Sequence, residues 1–399
     1  MLKDYPKFTA AAVQKSPVYR DKPAYFDLPA TLAEAVASIK EAAANAAKLV
    51  VFPELFVPGY CHFALELTRG PEYTNIWAEY LRHSVEVPSE ETALLCRAAR
   101  EAKTNVVIGI NERVPKYGGR MHNSVLFINE RGEIVGLHRK INITVQELLI
   151  HTRGNGGQNL LIPEFEFGKV SALICGEHNQ PMLWNNYVIQ GTKVNCSLWP
   201  GCLGGAEELP RVMPALTAAA AVSGACWCVL AAEYIPPEKR PTDFYPNTSF
   251  YQSFGGSAII NPFGEIVAGP LRDQEGIVYA DLDLKVNEMA RAIINITGLY
   301  SRWDILGLRV RQHDYEPIVS MEAGEGPVAW HTTLGAGGRA PAGTEEPAGP
   351  PEPASGQGPK EELTPRVASE VAELRKRVAE LERRLAALGE APREARERS

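Results

Sequence analysis

No stretch of the 399-residue sequence approaches the roughly 18 uninterrupted apolar residues of a membrane-spanning helix, and residues 1–23 lack the apolar run of a secretion signal. A cytoplasmic chain with no membrane partner is expected. Positive charge is not in excess either: 41 Lys and Arg stand against 48 Asp and Glu, a net charge of −7, which leaves no electrostatic footprint for nucleic acid. The cysteines are seven, an odd number, scattered, with no Cys-x-x-Cys and no His at zinc-ligand spacing, so neither a disulfide framework nor a metal is expected. Aromatic residues are missing from one region only. The chain carries 14 Tyr, 12 Phe and 6 Trp, and none follows Trp330. One core-forming unit over residues 1–330, with a tail of different character, is the organisation this predicts.

The first 290 positions alternate short β-rich runs with longer helical patterns. Strands are predicted at 8–13, 49–52, 106–110, 169–175, 194–198, 226–231 and 276–281, and helices at 31–47, 88–103, 181–190, 210–223 and 284–292. Two segments resemble each other. Val125, Leu126, Phe127 and Ile128 turn at Arg131-Gly132 and return as Glu133, Ile134 and Val135; Ala258, Ile259 and Ile260 turn at Phe263-Gly264 and return as Glu265, Ile266 and Val267. Both read as β-hairpins. Strands alternating with helices, plus hairpins, imply mixed sheets covered by helices, and two such sheets in one chain pack most economically as a four-layer α-β-β-α sandwich.

The tail has two parts. Residues 331–365 are Gly/Pro-rich, with seven Gly and seven Pro between 335 and 365, the composition of a disordered linker. Within 366–390, Val367, Val371, Leu374, Val378, Leu381, Leu385 and Leu388 fall at alternating spacings of four and three, the a/d series of a short coiled-coil helix. Glu370 would face Arg375, and Arg377 would face Glu382, of a parallel partner. Residues 391–399 are expected to be disordered.

Three ionisable residues end three of the predicted strands. Cys175 follows Val170, Ser171, Ala172, Leu173 and Ile174 and precedes Gly176, Glu177, His178, Asn179 and a helix from about Pro181, where helix N-terminal N–H groups favour a thiolate. Glu54 follows Leu49, Val50, Val51, Phe52 and Pro53; Lys140 follows Gly136, Leu137, His138 and Arg139. Taken singly, a cysteine is usually a small buried hydrophobe and a Glu or Lys a surface ion-pair member. Active sites of α/β sheets collect at strand ends, so the three together point to one site.

The same residues carry a family resemblance. Val51-Phe52-Pro53-Glu54-Leu55-Phe56-Val57-Pro58-Gly59-Tyr60 resembles the first motif of the nitrilase superfamily of carbon–nitrogen hydrolases, His138-Arg139-Lys140 the second, and Leu173-Ile174-Cys175-Gly176-Glu177-His178 the third. Leu198-Trp199-Pro200-Gly201, Gly255-Gly256-Ser257-Ala258-Ile259 with Gly264-Glu265, and Leu299-Tyr300-Ser301-Arg302-Trp303-Asp304 add to the similarity, which covers residues 1 to about 314.

The resemblance implies the nitrilase-type sandwich, with Glu54 as general base, Lys140 as catalytic lysine, Glu147 as the second active-site glutamate and Cys175 as nucleophile. Tyr60, Gly176, Glu177, His178 and Trp199 are the expected substrate-binding residues. It further implies a nitrile substrate, no cofactor, and homodimers that extend into higher oligomers or spiral filaments. Nitrilases commonly carry Trp after the nucleophile; Gly176 stands here and is expected to reshape the site. Glu177 favours nitrilases over aliphatic amidases, whose comparable residue is usually Asp. An amidase or cyanide-hydrating enzyme would use the same residues, and a catalytically idle assembly scaffold is the remote alternative.

Overall fold

Strand β1 (Lys7–Gln14) leads into helix α1 (Leu28–Ala44), β2 (Ala47–Val51), α2 (Phe63–Glu66), α3 (Pro71–Arg82), α4 (Glu90–Ala102), β3 (Asn105–Val114), β4 (Arg120–Ile128) and β5 (Ile134–Arg139). The second half runs β6 (Glu164–Phe165), β7 (Gly168–Ile174), α5 (Pro181–Ile189), β8 (Val194–Trp199), α6 (Leu209–Gly224), β9 (Trp227–Ala232), β10 (Gly255–Ile260), β11 (Ile266–Arg272), β12 (Gly276–Asp283) and α7 (Lys285–Arg291). A further strand pair, β13 (Val319–Ser320) and β14 (Val328–Ala329), follows. This computed structural model describes residues 4–21, 25–67, 70–201, 208–241, 253–298 and 300–310 together with that pair. The expected linker over 331–365, the heptad helix over 366–390 and the chain end lie outside the described residues.

The strands form two six-stranded mixed sheets, ordered β12-β1-β2-β3-β4-β5 and β11-β10-β9-β8-β7-β6. Strands β1 to β3 are parallel, as are β7 to β9, and the outer strands pair antiparallel. Period-two alternation sorts their side chains into separate cores. Ala10 and Ala12 of β1, with Leu49, Val51, Val107 and Val125, meet Val170, Ala172, Ile174, Cys196, Leu198 and Val229 of the other sheet. Ala11 and Val13 point the other way, and with Val50, Val106 and Ile108 they cover Leu32, Ala35 and Ile39 of α1 and Leu95 and Ala99 of α4. On the far side Leu173, Cys226, Cys228 and Ile260 pack against Leu183, Trp184, Tyr187 and Val188 of α5 and Ala220 and Ala221 of α6. Three apolar layers between four layers of structure are the α-β-β-α sandwich expected from the sequence.

The two similar segments are hairpins with one turn chemistry. Asn129 Oδ1 accepts from the N–H groups of Arg131 and Glu133, and Asn261 Oδ1 accepts from those of Phe263 and Glu265. Gly132 and Gly264 supply the positive φ, +76° and +85°, that each turn requires. Boundaries shift where helix ends carry no apolar signal. Helix α1 starts three residues earlier than expected, because Asp27 accepts from the Ala30 N–H, and it stops at Ala44. Helix α3 was not anticipated, since its buried face is only Tyr73, Ile76 and Tyr80 among polar residues. No helix among the described residues is long and apolar enough to cross a membrane.

Candidate active site

Glu54 sits in the turn that follows β2. That turn lies along β3, with Phe52 N–H donating to the Val107 carbonyl at 2.8 Å and Val57 N–H to the Gly109 carbonyl at 3.1 Å. Such close approach requires Gly109, where a Cβ would stand 2.3 Å from the Pro53 oxygen and 2.5 Å from the Leu55 nitrogen. Lys140 follows the last residue of β5, and its N–H donates to the Asn123 carbonyl on β4 at 2.8 Å. Glu147 lies in a 3₁₀ turn, Val145–Leu149, that folds back over the lysine.

These elements bring Glu54, Lys140 and Glu147 together in a fully buried cluster. Lys140 Nζ donates to Glu54 Oε1 at 2.6 Å and to Glu147 Oε1 and Oε2 at 2.8 and 3.0 Å. Asn123 Nδ2 donates to both carboxylates, 2.7 Å to Glu54 Oε1 and 3.2 Å to Glu147 Oε2, and the Tyr60 hydroxyl donates to Glu147 Oε1 at 2.8 Å. Glu54 Oε2 is buried with no hydrogen-bond partner among the described residues.

One ammonium between two carboxylates splits their behaviour. Burial alone would lower the Lys140 ammonium, but Glu147 and Glu54 raise it well above its ordinary range. Burial also disfavours the Glu147 anion, yet Lys140 outweighs it and holds that carboxyl below its usual value. Glu54 goes the other way. Its burial, reinforced by the Glu147 charge and only partly offset by Lys140, pushes it up to about 7. A carboxylate that exchanges its proton near neutrality suits a general base.

Cys175 follows β7 with φ of +46°, a left-handed conformation rarely held by a residue with a Cβ. His178 restrains it. Its Nδ1–H donates to the Cys175 carbonyl at 2.9 Å, and its Nε2 lies 3.0 Å from the Ser197 hydroxyl. Because a carbonyl only accepts, Nδ1 carries the proton; burial lowers the ring to about 4, so it stays neutral. Trp199 stacks on this ring, with centroids 5.0 Å apart at 27°.

The expectation that a helix N-terminus would favour the thiolate is corrected. Helix α5 begins at Pro181, beyond a 3₁₀ turn, Cys175–Asn179, and burial and then the Glu54 charge push the Cys175 thiol up, against the charge of Lys140 and the Gly176 N–H. The neutral thiol is therefore the favoured form at Cys175. Glu54, Lys140 and Glu147 all act on the thiol electrostatically.

The other sequence-predicted residues are placed as follows. Tyr60 bonds Glu147, His178 and Trp199 support the turn at Cys175, and Gly176 leaves space, since a Cβ there would meet no atom within 4 Å. Glu177 is buried and its oxygens are engaged by His138 and by two backbone N–H groups. Reading the sequence missed Asn123, which sits mid-strand, and Glu233, which accepts from the Tyr19 hydroxyl at 3.1 Å and pairs with His62 at 3.4 Å. The Glu that ends the apolar run Cys228-Val229-Leu230-Ala231-Ala232 was its available signal. Among the described residues no three His, Cys, Asp or Glu side chains converge as a metal site requires.

The pattern of the carbon–nitrogen hydrolase family matches residues 9–292. The chain belongs to the carbon–nitrogen hydrolase family. Within that family this hydrolase is 32% identical to an arylacetonitrilase of Aspergillus niger over 312 residues, 76% of this chain and 90% of that one. It is also 32% identical to an aliphatic nitrilase of Rhodococcus rhodochrous over 321 residues, 78% of this chain and 84% of that one. In fold it is similar to Saccharomyces cerevisiae Nit3, a member of branch 10 of the nitrilase superfamily, with TM-score 0.59 and 24% identity over 74% of this chain and 96% of that one.

Proposed function

We propose that this hydrolase is a nitrilase, converting an organic nitrile and two waters to the carboxylic acid and ammonia through a covalent intermediate on Cys175. The observation that carries the reading is the buried Lys140 ammonium, 2.6 Å from a Glu54 carboxylate whose second oxygen is unpartnered, with both acting on the Cys175 thiol. Relatives named as nitrilases at 32% identity support it.

A nitrile carbon is a modest electrophile, so it needs sulfur as nucleophile and a proton for the developing nitrogen anion. Glu54 Oε2 takes the thiol proton as sulfur bonds to carbon and passes it to the nitrogen, giving a thioimidate. Lys140 faces the growing negative charge, an electrostatic role in which one donor is worth roughly 10² to 10³ in rate. Glu54 then removes a proton from water as it attacks. The tetrahedral carbon expels ammonia, once its nitrogen is protonated, and leaves a thioester. A second water, activated by the same carboxylate, releases the acid and returns the proton to sulfur. Glu147, held by Tyr60 and Asn123, keeps Lys140 charged and in place.

Gly176 bears on which nitrile is taken. Open space beside the nucleophile supports a substrate with a bulky group next to the reacting carbon. Assembly into homodimers and longer oligomers is the form we infer for the enzyme; exposed Met182 and Ile189 on α5 and Val212 on α6 support it. Acid-quenching the enzyme during turnover of a nitrile tests the reading. A Cys175 peptide heavier by the substrate's acyl group is expected, and turnover without any adduct or dependence on Cys175 would overturn it.

A further inference from the structure

Three hydrogen-bond donors converge on the Glu177 carboxylate, and each belongs to a segment that carries a proposed catalytic residue. The N–H of Ile174, immediately before Cys175, donates to Oε2 at 3.0 Å. The N–H of Ile141, immediately after Lys140, donates to Oε1 at 2.7 Å. His138, two residues before Lys140, places Nε2 2.9 Å from Oε2. Glu177 has no exposed side-chain surface and that of His138 is 4% exposed.

The geometry favours a charged histidine. Nε2 faces the carboxylate and Nδ1 lies 3.2 Å from the Asn159 carbonyl, which only accepts, so a doubly protonated ring donates to both. The Tyr187 hydroxyl, also 3.2 Å from Nδ1, accepts from that proton or donates to a bare Nδ1. Burial opposes an imidazolium, but Glu177 outweighs it and raises His138 above its ordinary value, while His138 holds Glu177 below its own.

We propose that Glu177 and His138 form a buried ion pair that acts as a positioning device, tying the end of β5 that carries Lys140 to the end of β7 that carries Cys175. Glu177 is thereby a positioning residue and not a substrate contact. Only a carboxylate serves here: a glutamine could accept on one side, and its NH₂ would face a donor on the other. The proposal rests on the catalytic roles given above to Lys140 and Cys175.

The test compares Glu177→Gln, His138→Gln and the double variant in the full-length chain. With whichever nitrile or amide the wild type hydrolyses, Glu177→Gln is expected to lower kcat on the order of 10²-fold with KM within about twofold, because catalytic groups and not substrate contacts are misplaced. His138→Gln, whose amide still donates to Glu177, loses less, and the double variant loses no more than Glu177→Gln. Iodoacetamide labelling, followed on the Cys175 peptide, needs no substrate and is expected to slow about tenfold in Glu177→Gln as the lysine moves off the thiol. Absence of ammonia release from every substrate by the wild type would overturn the proposed function while labelling still reports on the ion pair. A rise in KM with kcat held, additive losses in the double variant, or wild-type labelling rates in Glu177→Gln would overturn the ion pair's role. Should Glu177→Gln fail to fold, an unchanged kcat in folded His138→Gln would do the same.

Discussion

Lys140 Nζ lies 2.6 Å from one oxygen of Glu54, while the other oxygen of that carboxylate is buried and makes no hydrogen bond among the described residues. The two oxygens therefore differ. One anchors the ammonium, and the other is the one to which the proposed mechanism assigns the proton from sulfur or water.

Because the base must be ionised and Glu54 is pushed up to about 7, kcat/KM should rise with pH, fall about tenfold per unit below 7 and level off above it. Asn123→Leu removes a donor that favours the ionised form, so the acid limb should move to higher pH. A pH–rate profile of both proteins checks this. A wild-type limb between 4 and 5, or a downward shift in the variant, would contradict it.

Lys140→Met should lower kcat on the order of 10³-fold and destabilise the fold by about 3 to 5 kcal/mol, since it strands two buried carboxylates without their cation. Loss of the cation raises Glu147 from below its ordinary value and pushes Glu54, already raised, further up, so both lie above their unfolded values. Their contribution is then retained at low pH, where they are protonated, and lost as pH rises through the new folded value. The Tm deficit should therefore be larger at pH 8 than at pH 5. A deficit independent of pH would count against the cluster's charge assignment.

Gly176→Trp should fold, because a Cβ there meets nothing within 4 Å, but it should fill the space beside the nucleophile. Bulky arylacetonitriles should lose kcat/KM by about tenfold or more relative to small aliphatic nitriles, as steric selection in a pocket allows. Equal losses across the panel would show that Gly176 does not face the substrate.

Removing residues 335–399 should leave a folded, active enzyme and shift its size distribution towards smaller species in light scattering, as expected if the heptads join copies. An unchanged distribution would mean that the heptads do not contribute to assembly.

The ends carrying Glu54 and Cys175 were legible because buried parallel strands read as unbroken apolar runs, and a polar residue that ends such a run is conspicuous; Lys140 ends the half-buried antiparallel strand β5, and the hairpin turn and the His138-Arg139-Lys140 motif marked it instead. Asn123 was not legible, since a single amide in the run Met121-His122-Asn123-Ser124-Val125 resembles any polar position of a strand. The Glu177–His138 pair spans 39 positions. No local pattern records it, and the neighbourhood of Cys175 made Glu177 look like a substrate contact. The thiol's protonation was misread for a similar reason. A strand-to-helix corner suggests a helix dipole, but the structure inserts a 3₁₀ turn, and burial decides.

The most direct measurement is ammonia release from matched nitriles and amides by the full-length enzyme and its Cys175→Ala variant. The account predicts equimolar ammonia and carboxylic acid from at least one nitrile with the wild type, and none from the variant, whose circular dichroism is unchanged. Ammonia from amides alone, or turnover retained in Cys175→Ala, would contradict it.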